Sequence, residues 1–185
     1  MATFEKKELL AQLETAVQEI LQEIQALSAT DKQLLNKQPG FHQWSGAQVL
    51  EHLNFYNRAY LPVIEARMTG SAGKDGLFKS GWLGNYFTKV MMPGTDGKVV
   101  NKMSAPKNAR PVDVLDAEKV LAEFISGEQK LLSLLEKAAG SDLDVRVPTS
   151  ISKLIRLKAG DTFRFLIAHQ QRHMAQFRRT LAAVR

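Results

Sequence analysis

Two of the chain's four histidines, His169 and His173, stand four positions apart in "LIAHQQRHMAQF". On a helix that spacing puts both rings on one face, with Cβ atoms roughly 5–6 Å apart, close enough for two imidazoles to share a cation. The other two are His42 and His52, so the question is whether either completes a site. The chain contains no cysteine. Disulfides, thiolate zinc sites and cysteine nucleophiles are thereby excluded, and any metal must rest on nitrogen and oxygen ligands. Gln170 follows His169, so there is no HExxH and no glutamate base of the zinc-protease type. Glycine-rich phosphate loops, GxSxG elbows and spaced carboxylate pairs are missing too.

Periodicity identifies the elements that must position these rings. Leu10, Leu13, Val17, Ile20, Ile24 and Leu27 recur every three or four residues, which predicts an amphipathic helix over about 4–28. A second helix is expected from about Trp44 to Met68, capped by Ser45 and bent at Pro62, whose ring removes one backbone hydrogen bond. The third runs from a capping Asp116 to about Ala139, before Gly140, with Gly127 permitting a close helix contact. The fourth spans about Asp161 to Ala183. No alternating strand pattern stands between them, although "DLDVRV" suits a short extended piece. Four apolar stripes are buried most simply in a four-helix bundle, so the fold class expected is all-α, in one domain over residues 1–185.

Connections over about 29–43 and 140–160 are of moderate length, whereas residues 70–115 far exceed the roughly 2–8 usual in bundles. Such length permits a long crossover between the second and third helices. Within it "GWLGNYFTKVMMPG" reads as a short helix or loop packed over the bundle's side rather than a substrate lid.

At about 100° per residue, Phe163, Leu166, Ile167, Met174, Phe177 and Leu181 share the inner arc of the fourth helix. His173 falls about 20° beyond one edge and His169 about 40° further, while Arg164, Arg172, Arg178 and Arg179 sit across the helix. On the second helix His52 falls about 20° outside the arc of Val49, Leu53, Tyr56, Tyr60, Val63 and Ile64, with Glu51, Arg58 and Glu65 on the far side. His42, outside any periodic segment, is read as an ordinary loop residue. Three semi-buried imidazoles would repel if protonated and need partners if neutral, and a divalent cation resolves both. Three histidines with an open fourth position is the ligand pattern of catalytic zinc, which lowers the pKa of bound water towards ~7 or polarises an oxygen or sulfur nucleophile.

"WSGAQVLEHLNFYNRAY", followed far downstream by "FRFLIAHQQRHMAQFRRTL", resembles the DinB/YfiT-like superfamily, whose members set one histidine early in the second helix and a pair late in the chain. On that resemblance His52, His169 and His173 match the family's metal triad. It implies a four-helix bundle with a long crossover after the second helix, a divalent metal such as zinc or nickel, and a homodimer. It also implies, for some members, a thiol-dependent transferase or isomerase activity using a low-molecular-weight thiol cosubstrate.

The expected function is a metal-dependent enzyme acting on a small-molecule substrate, its thiol activated by coordination because the thiolate is the attacking form. The alternative is a non-catalytic metal- or ligand-binding stress-response module. A net charge of +6 raises nucleic acid as a partner, but lysines and arginines are scattered among acidic residues, and the densest group, Lys153, Arg156 and Lys158, is followed by Asp161. No apolar run approaches the roughly 18 residues of a membrane span and the start lacks a secretory core, so a cytoplasmic location is expected.

Overall fold

Apolar spacings of three and four residues mature into four long helices, and side-chain caps close the first turn of all but the last of them. The computed structural model describes residues 2–73, 76–93, 104–150 and 154–185. Lys153 of the basic group, and 74–75 and 94–103 of the long connection, lie outside these residues. The helices are α1 (Lys6–Gln25), α2 (Ala29–Leu34), α3 (Gly46–Met68), α4 (Trp82–Met91), α5 (Ala117–Ala139) and α6 (Ala159–Val184). Ser45 and Gln48 form a reciprocal capping box at the start of α3, and Asp116 accepts from the Lys119 amide at the start of α5. Such a cap contributes about 1 kcal/mol. Helix α3 runs through Pro62 without ending.

The four long helices close a ring. Helix α1 packs on α5 and α6, and α3 packs on the same two partners. Their stripes bury Val17, Ile24, Leu53, Ile64, Phe124, Leu131, Phe163 and Phe177 almost completely. Each contributes roughly 1.5–3 kcal/mol relative to exposure. Gly127 does allow the close approach expected of it, since a Cβ there would come within 2.7 Å of the Asn57 amide on α3.

Two small antiparallel sheets tie the ends of connections together. Strand β1 (Thr3–Glu5) pairs with β2 (Leu77–Lys79), and β3 (Arg146–Pro148) pairs with β4 (Arg156–Lys158). Strand β3 takes up the end of the extended "DLDVRV" piece, setting Val147 opposite Leu157. Stretch 29–43, expected to be loop, contains α2, whose first turn is closed by the Ser28 and Asp31 capping box.

Helix α4, from the aromatic and methionine stretch, packs on α6. Asp161 holds it. That carboxylate, 1% exposed, accepts from the Ser80 hydroxyl at 2.6 Å and the Gly81 amide at 2.8 Å, and pairs with Arg164 at 3.1 Å. The Arg164 guanidinium also lies 4.2 Å from the centre of the Phe4 ring. This corrects the placing of the α6 arginines opposite the core. Arg178 and Arg179 are exposed, but Arg164 and Arg172 are buried at 9% and 6% exposure. The face that a lone helix would give to solvent is covered here by a neighbour drawn from the long connection. Among the described residues no helix is long and apolar enough to cross a membrane.

Candidate metal centre

His52 is carried by the second turn of α3, while His169 and His173 occupy successive turns of α6, and the packing of α3 on α6 brings all three together. Their ring centroids are 5.2 Å apart for His52 and His169, 4.5 Å for His52 and His173, and 4.5 Å for His169 and His173. One nitrogen from each lies within 4.8 Å of the others. His52 and His169 are only 2% and 4% exposed, deeper than the semi-buried positions expected from the helical wheel, and His173 is partly buried. His42 stays outside the group, in an exposed turn with φ of 56°.

Neighbours orient the rings. The Nδ1 of His52 donates to the Ala109 carbonyl at 2.7 Å, and the Nδ1 of His173 to the Gln176 side-chain oxygen at 3.0 Å. In the neutral rings this leaves each Nε2 with its lone pair free. The Nε2 atoms of His52 and His169 stand 3.3 Å apart. Two nitrogens bound to one tetrahedral zinc at about 2.05 Å would be separated by about 3.3 Å. His169 Nδ1 is buried with no hydrogen-bond partner among the described residues, an arrangement proteins rarely leave unanswered.

Burial keeps the cluster neutral. Desolvation lowers the His52 pKa, and it takes His169 well below the ordinary imidazole value, with His173 and His52 adding repulsion. His173 is lowered to about 3, again chiefly by burial. Neutral imidazole is the form that binds a metal. An all-nitrogen donor set suits zinc, nickel, copper or iron rather than magnesium or calcium, which prefer oxygen.

The triad opens onto a cavity of about 1340 Å³. Trp44 lies over His52 at 5.1 Å between ring centres, Tyr56 over His169 at 4.5 Å, and Phe165 stacks on His169 at 6.1 Å. Tyr86 and Phe87 of α4 also line it, with the Phe87 ring 6.2 Å from that of Phe165. None of the described residues lining it is an aspartate or glutamate, so no carboxylate among them can serve as general base.

Sequence reasoning missed the ring-orienting partners. The Ala109 carbonyl is a backbone group 57 positions from His52 and leaves no mark in residue types. Gln176 could have been found, because it lies one turn beyond His173. A buried polar cluster beside the site was also legible and went unread. Glu128 sits four positions after Phe124 and three before Leu131, on the core stripe of α5. It is fully buried and accepts from Asn57 at 3.1 Å and from Gln170, the neighbour of His169, at 2.7 Å.

The model of the DinB superfamily matches residues 12–177, and the chain belongs to that superfamily. No curated protein and no solved structure shows significant similarity to the chain.

Proposed function

We propose that His52, His169 and His173 hold a divalent cation, zinc or nickel, and that the protein is a metal-dependent enzyme of the thiol-transferase kind. The helix ring is then the superfamily's four-helix bundle, with residues 70–115 as its long crossover. The observation that carries the reading is the meeting of three neutral nitrogen donors, from helices distant in sequence, at the wall of a large cavity. Bound there, the cation would supply Lewis acidity and favour the thiolate form of a coordinated thiol.

The chain's own residues would do the rest. The Ala109 carbonyl and Gln176 fix the rings of His52 and His173 so that their Nε2 atoms face the shared point. Trp44, Tyr56 and Phe165 keep the ligand nitrogens out of bulk water. The cavity exceeds the roughly 300–1000 Å³ usual for one small ligand, which suits a reaction between a thiol and a second molecule.

A non-catalytic reading, in which the same residues sequester the cation or a ligand, draws on the lack of carboxylates among the described lining residues. Elemental analysis of purified protein tests the first step, with near-stoichiometric zinc or nickel expected. Protein loaded with that metal is then screened for loss of thiol against a panel of electrophiles. Turnover with at least one pair supports the enzyme, while full metal occupancy without turnover favours sequestration. Protein that binds neither metal refutes the triad.

A further inference from the structure

The chain has three tyrosines, and the surroundings of two hydroxyls are accounted for. Tyr60, 2% exposed, shares a hydrogen bond of 3.2 Å with the Ser150 hydroxyl and accepts from the Ser150 amide at 2.9 Å. Tyr86 is 56% exposed and meets solvent. Tyr56 differs from both. It is 7% exposed, and its hydroxyl makes no hydrogen bond to any described residue. Buried tyrosine hydroxyls usually find a partner.

That hydroxyl is not sealed in the interior either. Among the described residues, the wholly enclosed side-chain atoms without a partner are Asn54 Oδ1, Glu128 Oε2, His169 Nδ1 and Gln170 Oε1. The Tyr56 oxygen is not one of them, and Tyr56 lines the cavity, so its hydroxyl opens onto that space. Tyr56 stands one turn after His52 on α3, with its ring centre 5.1 Å from that of His52 and 4.5 Å from that of His169. It also stacks on Tyr60 at 6.3 Å and meets Phe55 edge-on at 5.4 Å. A ring packed against four others presents its hydroxyl at one place in the cavity wall, beside the triad.

We propose that the molecule taken into this cavity presents a carbonyl oxygen to the Tyr56 hydroxyl, which donates a hydrogen bond to it. Tyrosine is a neutral donor at ordinary pH. A carbonyl asks for no more than that donor, whereas an ion set among aromatic rings would need a counter-charge. Trp44, Phe87, Val90, Met91 and Phe165 receive the apolar body that carries the carbonyl. The nearness of that oxygen to a bound cation rests on the proposed reading of the triad; the hydrogen bond itself does not.

Acetophenone and 2-phenylpropene, in which a methylene replaces the carbonyl oxygen, provide the test. Each is titrated calorimetrically into wild-type, Tyr56→Phe and Tyr86→Phe protein, both as purified and after chelation. Tyr56→Phe takes no internal hydrogen bond from the fold. It is expected to weaken acetophenone about threefold to tenfold and to leave 2-phenylpropene within about twofold, in both preparations. Tyr86→Phe should move neither ligand. In infrared spectra the carbonyl band of bound acetophenone should lie below its position in cyclohexane, and return towards it in Tyr56→Phe.

Equal loss of both ligands in Tyr56→Phe, which marks the hydroxyl as packing alone, overturns the inference. So does loss of neither, or no binding of acetophenone at millimolar concentration. A band that stays low in Tyr56→Phe assigns the hydrogen bond to another donor and overturns it equally. Metal content measured on the same preparations separates the two claims. Selective loss of acetophenone in protein that never takes up metal leaves this inference standing while the triad reading fails; metal-loaded protein without that selectivity does the reverse.

Discussion

A Cβ added at Gly84 would lie 2.4 Å from the Cβ of Asp161, so α4 rests on the first turn of α6 with no room for a side chain between them. The same Asp161 accepts from Ser80 and Gly81 just before α4 and pairs with the buried Arg164. Gly84→Ala should therefore lift α4 and cost about 1–3 kcal/mol, as overpacking of interiors does. Asp161→Ala should cost more, about 3–5 kcal/mol, because Arg164 is left buried and unpaired. Urea denaturation of both variants checks this, and a Gly84→Ala midpoint equal to wild type would show that α4 is not docked as described.

Removal of one ligand should empty the proposed metal site. His169→Ala is expected to lose the ion measured in wild type, while His42→Ala retains it, because His42 stands in an exposed turn apart from the cluster. Elemental analysis of the two variants decides. Full occupancy in His169→Ala would remove that residue from the ligand set.

Glu128 gives stability a pH dependence of definite sign. Burial pushes its carboxyl up from the ordinary 4.5 to about 8, so the folded chain keeps a proton that the unfolded chain releases. Its contribution is fully present below about 4.5 and is lost as pH rises through about 8, with a slope of up to about 1.4 kcal/mol per pH unit. Glu128→Gln keeps a neutral group of the same shape. The stability of wild type relative to this variant should fall steadily as pH rises between about 5 and 8. Parallel profiles would mean that the carboxyl is ionised in the folded protein.

Gly127→Ala sets two effects against each other. Alanine gains about 1 kcal/mol of helix propensity, but its methyl would sit 2.7 Å from the Asn57 amide nitrogen, which donates to Glu128. Losing that buried hydrogen bond costs about 1–3 kcal/mol, so net destabilisation is expected. The loss should shrink in an Asn57→Ala background, and additivity in the double-mutant cycle would rule out the contact as its cause.

Long elements were legible because their signal is repeated many times. The stripes from Leu10 to Ile24, Val49 to Ile64 and Phe163 to Leu181 each bring the same geometry round through several turns, and helices formed on all three. Strands β1 to β4 have three residues each, too few for alternation to register. Helix α2 was overlooked although Ser28 and Asp31 spell a capping box, because six residues carry almost no periodicity. For the site, the wheel placed His52 and His169 at the edge of the core, and they are buried because packing adds walls that a single helix does not have. Arg172 shows the same limit. Its position opposite the inner arc was read without α4, which turns that side of α6 into the floor of a cleft.

The histidines that meet at the cavity wall are separated by 117 positions along the chain, which joins the fate of the site to that of the fold. A cation shared between them would act as a clasp closing a long loop, stabilising the fold to the extent that it prefers the assembled site to the unravelled chain. At a free concentration one hundred times its dissociation constant it would add about 2.7 kcal/mol to the molecule's resistance to heat. Chelation would then be visible in a melting curve before any substrate is known.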